Sequence, residues 1–338
     1  MGVDSVSRRW LIAGGAGFIG SHFTDALLAR PETEQVTLYD NFSSGREWHY
    51  AHHSHDERLK VVRGDVKDAS RLQQAMAGSD AVIHLASNPD IARAAIEPDI
   101  DFTEGTLLTN RVVEAMRVTG VKRILYASGS GVYGDIGYEE AVEDRGPMTP
   151  ISTYGASKLA GEALICSYAH MFGMTGRAFR FGNVVGPRQT HGVGFDFVRQ
   201  LLAHPHELTI LGDGTQTKSY IHVSDVVRAV LLAHDRADSP FQVYNVATGD
   251  YITVTAIGRL ACEVLGLDPQ QVAFRYTGGD RGWKGDVPVV RVNTSRIRSL
   301  GWGNRYLTAE ALRMSISALR EDVQAAATPV EDGQLVKA

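Results

Sequence analysis

No apolar run in this chain approaches the roughly 20 residues that cross a bilayer, so a helical membrane protein is not expected. No block of like charge occurs either. The net charge is −5 over 338 residues, and a nucleic-acid partner is not expected. Cysteine is nearly absent. Cys166 and Cys262 are the only two, each within an apolar helical pattern, which excludes a disulfide framework and reads as buried thiols of a reducing compartment. The twelve histidines are scattered. Their densest cluster, His49, His52, His53 and His55, has no recognised metal spacing and reads as a polar loop, so no metal site is expected. The segment before the first apolar run lacks the hydrophobic stretch of a signal peptide, and the expected location is cytoplasmic. The chain is 43% apolar, enough for one large domain or two modest ones.

What is present begins with a short apolar run at residues 10–13, followed by Gly14-Gly-Ala-Gly-Phe-Ile-Gly20 and a helical pattern over 21–29. Two glycine registers fit, Gly15-x-Gly17-x-x-Gly20 and Gly14-x-x-Gly17-x-x-Gly20. Either lets backbone N–H groups approach a pyrophosphate at a helix N-terminus. The next strand, 35–39, ends at Asp40, 20 residues beyond Gly20, where a carboxylate binds ribose hydroxyls. Its charge repels a 2′-phosphate, which favours NAD over NADP. Further strands are expected at 59–62, 81–85, 123–126 and 177–181, separated by helical segments such as 101–118. This alternation predicts an α/β fold, a Rossmann-type doubly wound parallel sheet with functional residues at the strands' carboxyl ends. After residue 181 the alternation loosens. Short strands at 208–211, 242–245 and 271–276 and helices at 195–203, 223–234, 254–266 and 307–323 predict a smaller C-terminal α/β substrate lobe. The expected division is 1–181 for cofactor binding, 182–324 mainly for substrate and interwoven with the first, and 325–338 as a disordered tail.

Residues 151–166 read as a helix, with Ala156, Leu159, Ala160, Ala163 and Leu164 at helical spacing. Tyr154 and Lys158 then share one face. A free phenol has a pKa of about 10, and a nearby cation is expected to lower it toward use as a base at neutral pH. Tyr-x-x-x-Lys alone occurs by chance in many proteins.

Seven motifs in order give the pair its context: the glycine loop, Tyr39-Asp-Asn41, Gly64-Asp-Val66, His84-Leu-Ala86, Val132-Tyr-Gly134, Tyr154-Gly-Ala-Ser-Lys158 and Ser219-Tyr-Ile-His-Val-Ser-Asp225. Over residues 9–319 the chain resembles the extended short-chain dehydrogenase/reductases, and within them the NAD-dependent nucleotide-sugar epimerases. The resemblance implies Tyr154 as the base toward a sugar hydroxyl, and Lys158 as the group that orders the nicotinamide ribose. It implies cofactor contacts from Gly14, Gly17, Phe18, Ile19 and Gly20 at the pyrophosphate, Asp40 and Asn41 at the ribose, Asp65 and Val66 at the adenine, and Leu85, Ala86 and Ser87 at the nicotinamide. Ser43, Ser44, Gly45 and Gly182 complete that set. Asn183, Arg188, Thr209, Ile210, Leu211, Lys218 and Asp286 fall where such enzymes contact a nucleoside diphosphate sugar.

Four positions depart from the family pattern. The usual Ser or Thr four residues before Tyr133 is Gly129; Ser128 or Ser130 is expected to supply the hydroxyl, Ser128 first. A usual Asn is Phe102. A phosphate-binding Arg is Lys218, a point charge where Arg gives a fork. A second one is Trp283, with Arg281 the expected substitute. The turn Ser128-Gly-Ser-Gly131 lacks both the Asp-Glu pair of a 4,6-dehydratase and the Glu of a decarboxylase, so C4 epimerisation of a UDP-sugar is the favoured reading. A one-way NAD(P)-dependent nucleotide-sugar reductase or dehydratase and a non-catalytic NAD-binding scaffold are the alternatives. Val290, where some epimerases have Tyr, leaves UDP-glucuronate and UDP-glucose/galactose near equals, with N-acetylated sugars third. Leu107, Leu108, Val112 and Val113 extend beyond one core-facing stripe, and a homodimer is expected. Asp40 is expected to make NAD bind in preference to NADP in direct titration; the opposite order would remove its assigned role.

Overall fold

Seven parallel strands form the centre of this computed structural model, which describes residues 6–327. They are β1 (Arg9–Ala13), β2 (Gln35–Asp40), β3 (Leu59–Arg63), β4 (Ala81–His84), β5 (Arg123–Gly129), β6 (Thr175–Phe181) and β7 (Phe241–Val246). Their spatial order is β7-β6-β5-β4-β1-β2-β3. The chain builds outward from β1 to one edge, then returns to lay β4 on the other side of β1. Central strands are covered on both faces and so read as unbroken apolar runs, with Trp10, Leu11, Ile12 and Ala13 all buried. Edge strand β3, Leu-Lys-Val-Val-Arg, is half-exposed.

The helices are α1 (Phe18–Leu28), α2 (Ala69–Met76), α3 (Leu107–Thr119), α4 (Thr153–Phe172), α5 (Val193–Ala203), α6 (Val223–Arg236), α7 (Val254–Leu265), α8 (Ser295–Ser299) and α9 (Thr308–Ala327). On one face of the sheet, Phe23 and Leu27 of α1 pack with Val226 and Val230 of α6 over Trp10 and Ile12. On the other, Leu72, Met76, Val112, Met116 and Ile165 cover Leu11, Val82 and Ile124. A separate core joins α5, α7 and α9 through Phe197, Leu201, Ile257, Leu312 and Ile316. Among the described residues no helix is long and apolar enough to cross a membrane.

Several expectations are corrected. The strand expected at 242–245 in the smaller lobe is β7, paired with β6 in the main sheet (Val243 opposite Ala178). Helix α6 likewise covers that sheet, so the larger lobe draws on residues well beyond 181. Local pattern cannot say which sheet a short strand joins. The helix expected over 101–118 starts with a π-helical turn at Phe102–Thr106. Leu108, Val112 and Val113 lie in the subunit's own core and supply no second apolar face. Of the expected thiols, Cys262 is buried and Cys166 half-buried; both are free. The expected tail begins inside α9, and residues 328–338 lie outside the described part.

Helix α4 is fixed to the sheet by a buried ion pair. Arg180 of β6 donates from Nε to Glu162 Oε1 (2.9 Å) and from Nη2 to Oε2 (2.6 Å), with both side chains about 5% exposed or less. Arg180 Nη1 also donates to the Tyr133 hydroxyl (2.8 Å) and the Glu143 carbonyl (3.1 Å). Glu162→Ala leaves an uncompensated buried guanidinium. It is expected to lower unfolding stability by roughly 3–5 kcal/mol in urea titration; a loss below about 1 kcal/mol would show the pair to be dispensable.

Candidate active site

Neighbouring strands β1 and β4 mark the point where the chain reverses its direction of build, and a cleft of about 940 Å³ opens at their carboxyl ends. Gly14 turns the chain at φ +82°, and a Cβ on it would lie 2.8 Å from the Ala86 nitrogen. Only glycine lets the two strand ends approach so closely. Gly17 then caps α1 without a side chain, leaving first-turn N–H groups of Phe18 and Ile19 at the cleft. Asp40, at the end of β2, accepts N–H bonds from Ala16 (2.9 Å) and Phe42 (2.8 Å), which fix its carboxyl group at the cleft wall. Burial pushes its pKa up, and those two N–H bonds oppose the shift. A cradle that a Cβ would fill, an uncapped helix end and an anchored carboxylate fit a dinucleotide.

Of the residues expected at the site, Gly14, Gly17, Phe18, Ile19, Gly20, Asp40, Asn41, Ser43, Ser44, Asp65, Val66, Leu85, Ala86, Ser87, Ser128, Ser130, Tyr154, Lys158, Gly182, Asn183, Lys218 and Asp286 all line this one cleft. Trp283 and Val290 line it too, whereas exposed Phe102 does not, although its neighbours Thr103 and Glu104 do. Six others fall elsewhere. Gly45 packs behind Asp40, where its Cβ would meet Oδ1 at 2.9 Å. Arg188 turns away at φ +67° and donates to Asp25 Oδ2 (2.5 Å) and the His49 carbonyl (2.8 Å). Thr209 and Ile210 belong to a strand at Glu207–Ile210, with Ile210 in the smaller core, and Leu211 is solvent-exposed outside the cleft. Arg281 is held by Asp135 (2.6 Å) and the Asp286 carbonyl (2.5 Å). For Arg188, Arg281 and Ile210 a nearer carboxylate, carbonyl or apolar core claims the side chain.

Ser128 is corrected as well. It lines the cleft, but its hydroxyl donates to Glu162 Oε1 at 2.6 Å and is committed to the Glu162–Arg180 pair.

Tyr154 and Lys158 project from the first turns of α4, whose start is capped by the Ser152 hydroxyl accepting from the Gly155 N–H (3.0 Å). A Cβ on Gly155 would be 2.5 Å from the Gly131 carbonyl, so glycine lets α4 press against the turn after β5. Lys158 Nζ lies 5.3 Å from the Tyr154 ring centre and donates to the Ala127 carbonyl (2.9 Å). The expected lowering of the phenol pKa does not hold here. Burial raises it to about 12, and the Asp101 charge adds to the rise, while Ser87 opposes it. Burial also lowers the Lys158 pKa to about 8, against the pull of Asp101. At pH 7 the phenol is neutral and the ammonium still charged.

Asp101 is the influential residue the sequence left unmarked. It is buried and accepts from Thr153 Oγ1 (2.7 Å) and Asn88 Nδ2 (2.9 Å). It stands 53 residues before Tyr154, and no spacing signals such a meeting. The histidine loop holds a further arrangement. His52 and His53 Nε2 both reach Asp25 Oδ1 (2.8 and 2.9 Å), and these atoms cluster within 4.8 Å. Arg188 already supplies Asp25 with a cationic partner, and the group clamps the loop to α1.

Fold and cleft together define an α/β protein that binds a dinucleotide and places a Tyr/Lys pair in the same cleft. Residues 10–247 match the family described as "NAD dependent epimerase/dehydratase family". A UDP-glucose 4-epimerase of Mycolicibacterium smegmatis is 31% identical over 94% of this chain and 100% of its own length. A dTDP-glucose 4,6-dehydratase of an Actinoplanes species is 30% identical over 78% of this chain and 84% of its own. A UDP-galactose 4-epimerase crystal structure superposes with a TM-score of 0.81 at 36% identity, covering 93% of this chain and 99% of that one. The chain belongs to the NAD-dependent epimerase/dehydratase family, and NAD is its cofactor.

In the cofactor-free protein, the phenolate absorbance that distinguishes wild type from Tyr154→Phe is expected only near pH 12. A difference that develops below pH 10 would show that the cation outweighs burial.

Proposed function

We propose that the protein epimerises C4 of a UDP-sugar through a transient 4-keto sugar. The observation that carries this reading is the Tyr154–Lys158 pair facing a turn, Ser128-Gly-Ser-Gly131, that contains no acid. Bound NAD supplies a hydride acceptor that later returns the hydride to the sugar carbon. Tyr154 takes the C4 hydroxyl proton as the hydride leaves and gives it back at the end. The accepting form is the Tyr154 phenolate, so the step draws on the fraction of the protein whose phenol has lost its proton, and the rate rises with pH toward the phenol pKa. Lys158 is a cation 5.3 Å from that ring. Gly129 and Gly131 leave space for the ketone to turn over, and no carboxylate on the turn is placed to expel water from the sugar.

Lys218 would meet the diphosphate, its charge shared with Asp286 at 2.5 Å. Arg188 and Arg281 were the candidates to pair with a C6 carboxylate, and both are engaged by other residues. UDP-glucose and UDP-galactose are therefore favoured over UDP-glucuronate, with N-acetylated sugars third, for which Val290 leaves room. We also infer a homodimer joined through α4, which exposes Ala156, Ala163, Ser167 and Met171.

Assays of UDP-glucose, UDP-glucuronate and UDP-N-acetylglucosamine with NAD are expected to give the highest kcat/KM for UDP-glucose, with UDP-galactose as product. Tyr154→Phe is expected to lower turnover at least about a hundredfold with little change in sugar binding. Rejection of all three sugars, or a product that has lost water, would overturn the reading.

A further inference from the structure

Relatives of this chain are expected to hold the reacting hydroxyl with a Ser or Thr at the position of Gly129, and glycine offers no side chain there. A Cβ added to Gly129 would meet nothing within 4 Å, so the space a side chain would fill stands open. Ser128, the first substitute, has given its hydroxyl to Glu162. Ser130 lies half-buried on the turn. A third hydroxyl comes from a different strand. Ser87 follows the carboxyl end of β4 and lines the same cleft as Tyr154. Its Oγ is buried and has no hydrogen-bond partner among the described residues. It sits close enough to the phenol to oppose the rise in the Tyr154 pKa, but is not aligned as a hydrogen bond to it. A buried hydroxyl without a partner is costly in a protein interior, and such groups call for a ligand that completes them.

We propose that Ser87 is a catalytic hydroxyl of this site: its Oγ donates to the substrate oxygen whose proton Tyr154 removes, in place of the side chain that Gly129 lacks. The inference rests on the nucleotide-sugar reading above. In the step, the sugar O–H bond breaks and its proton passes to the Tyr154 oxygen. The hydrogen on the same carbon leaves as hydride to NAD, and a C=O bond forms. Ser87 keeps its own proton throughout. Its hydrogen bond orients the sugar hydroxyl toward Tyr154 and stabilises the negative charge that develops on the sugar oxygen as the proton leaves.

The test follows reduction of bound NAD by absorbance after the NAD-loaded protein is mixed with UDP-glucose. Hydride removal precedes any choice between epimerised and dehydrated product. Its rate therefore judges Ser87, and the product isolated afterwards judges the epimerase reading separately. Ser87→Ala is expected to slow reduction at least about tenfold, as loss of one positioned donor does, with UDP-glucose affinity changed less than about threefold. Ser87→Thr, which keeps the hydroxyl, is expected to stay within about threefold of wild type, and adding Gly129→Ser to Ser87→Ala to recover part of the lost rate. The pH at which the rate is half-maximal is expected to rise in Ser87→Ala. An unchanged reduction rate in that variant would overturn the proposal. So would weaker NAD binding at an unchanged rate, which would make Ser87 a cofactor contact only.

Discussion

The buried pair of Glu162 and Arg180 is the interaction on which the site depends. Two charges taken from water cost more than a surface pair returns, and the cost is met only when every lone pair and N–H finds a partner. Here they do. Arg180 satisfies both Glu162 oxygens, the Tyr133 hydroxyl and the Glu143 carbonyl. Tyr133 in turn donates to Asn245 Oδ1 (2.8 Å), and Asn245 Nδ2 donates to the Ala141 and Asn293 carbonyls. One connected network thus joins α4, β5, β6, β7 and the loop before α8. It fixes the helix that carries Tyr154 and Lys158 against the turn that must face them. It also consumes the hydroxyl of Ser128, so the scaffold and the chemistry compete for one side chain and the scaffold holds it.

Burial is also what sets the charges in the cleft. Desolvation is the largest influence on Tyr154, Lys158 and Asp40, and in each it disfavours the ionised form. Nearby Asp101 moves Tyr154 further from ionisation but holds the charge on Lys158. One buried carboxylate therefore separates the states of the pair: a neutral phenol beside a charged ammonium. The Ser87 hydroxyl nearby acts against burial and favours the ionised form of this phenol.

Cations near the cleft are mostly spoken for. Arg188 is held by Asp25, Arg281 by Asp135 and Lys218 by Asp286. A diphosphate entering this cleft would meet a lysine already paired with an acid, and the apolar ring of Trp283 where relatives are expected to have an arginine.

The sequence by itself determined the alternating architecture, the glycine loop, Asp40, and the Tyr154–Lys158 pair, because each is written in local spacing: strand runs of period or burial, a turn that needs glycine, a helix that puts i and i+4 on one face. It read α4 and β1 through β6 correctly as elements for that reason. What it could not decide was where distant segments meet. Strand β7 joined the main sheet rather than the smaller lobe, since a short apolar run pairs with whichever edge is free. Leu108, Val112 and Val113 proved to be core. Arg188 and Arg281, chosen for their charge, found acids closer than the cleft. Asp101, Glu162 and Ser87 acquired their parts only through tertiary placement, because desolvation and hydrogen bonding depend on which groups packing brings within a few ångströms, and no sequence interval encodes that distance.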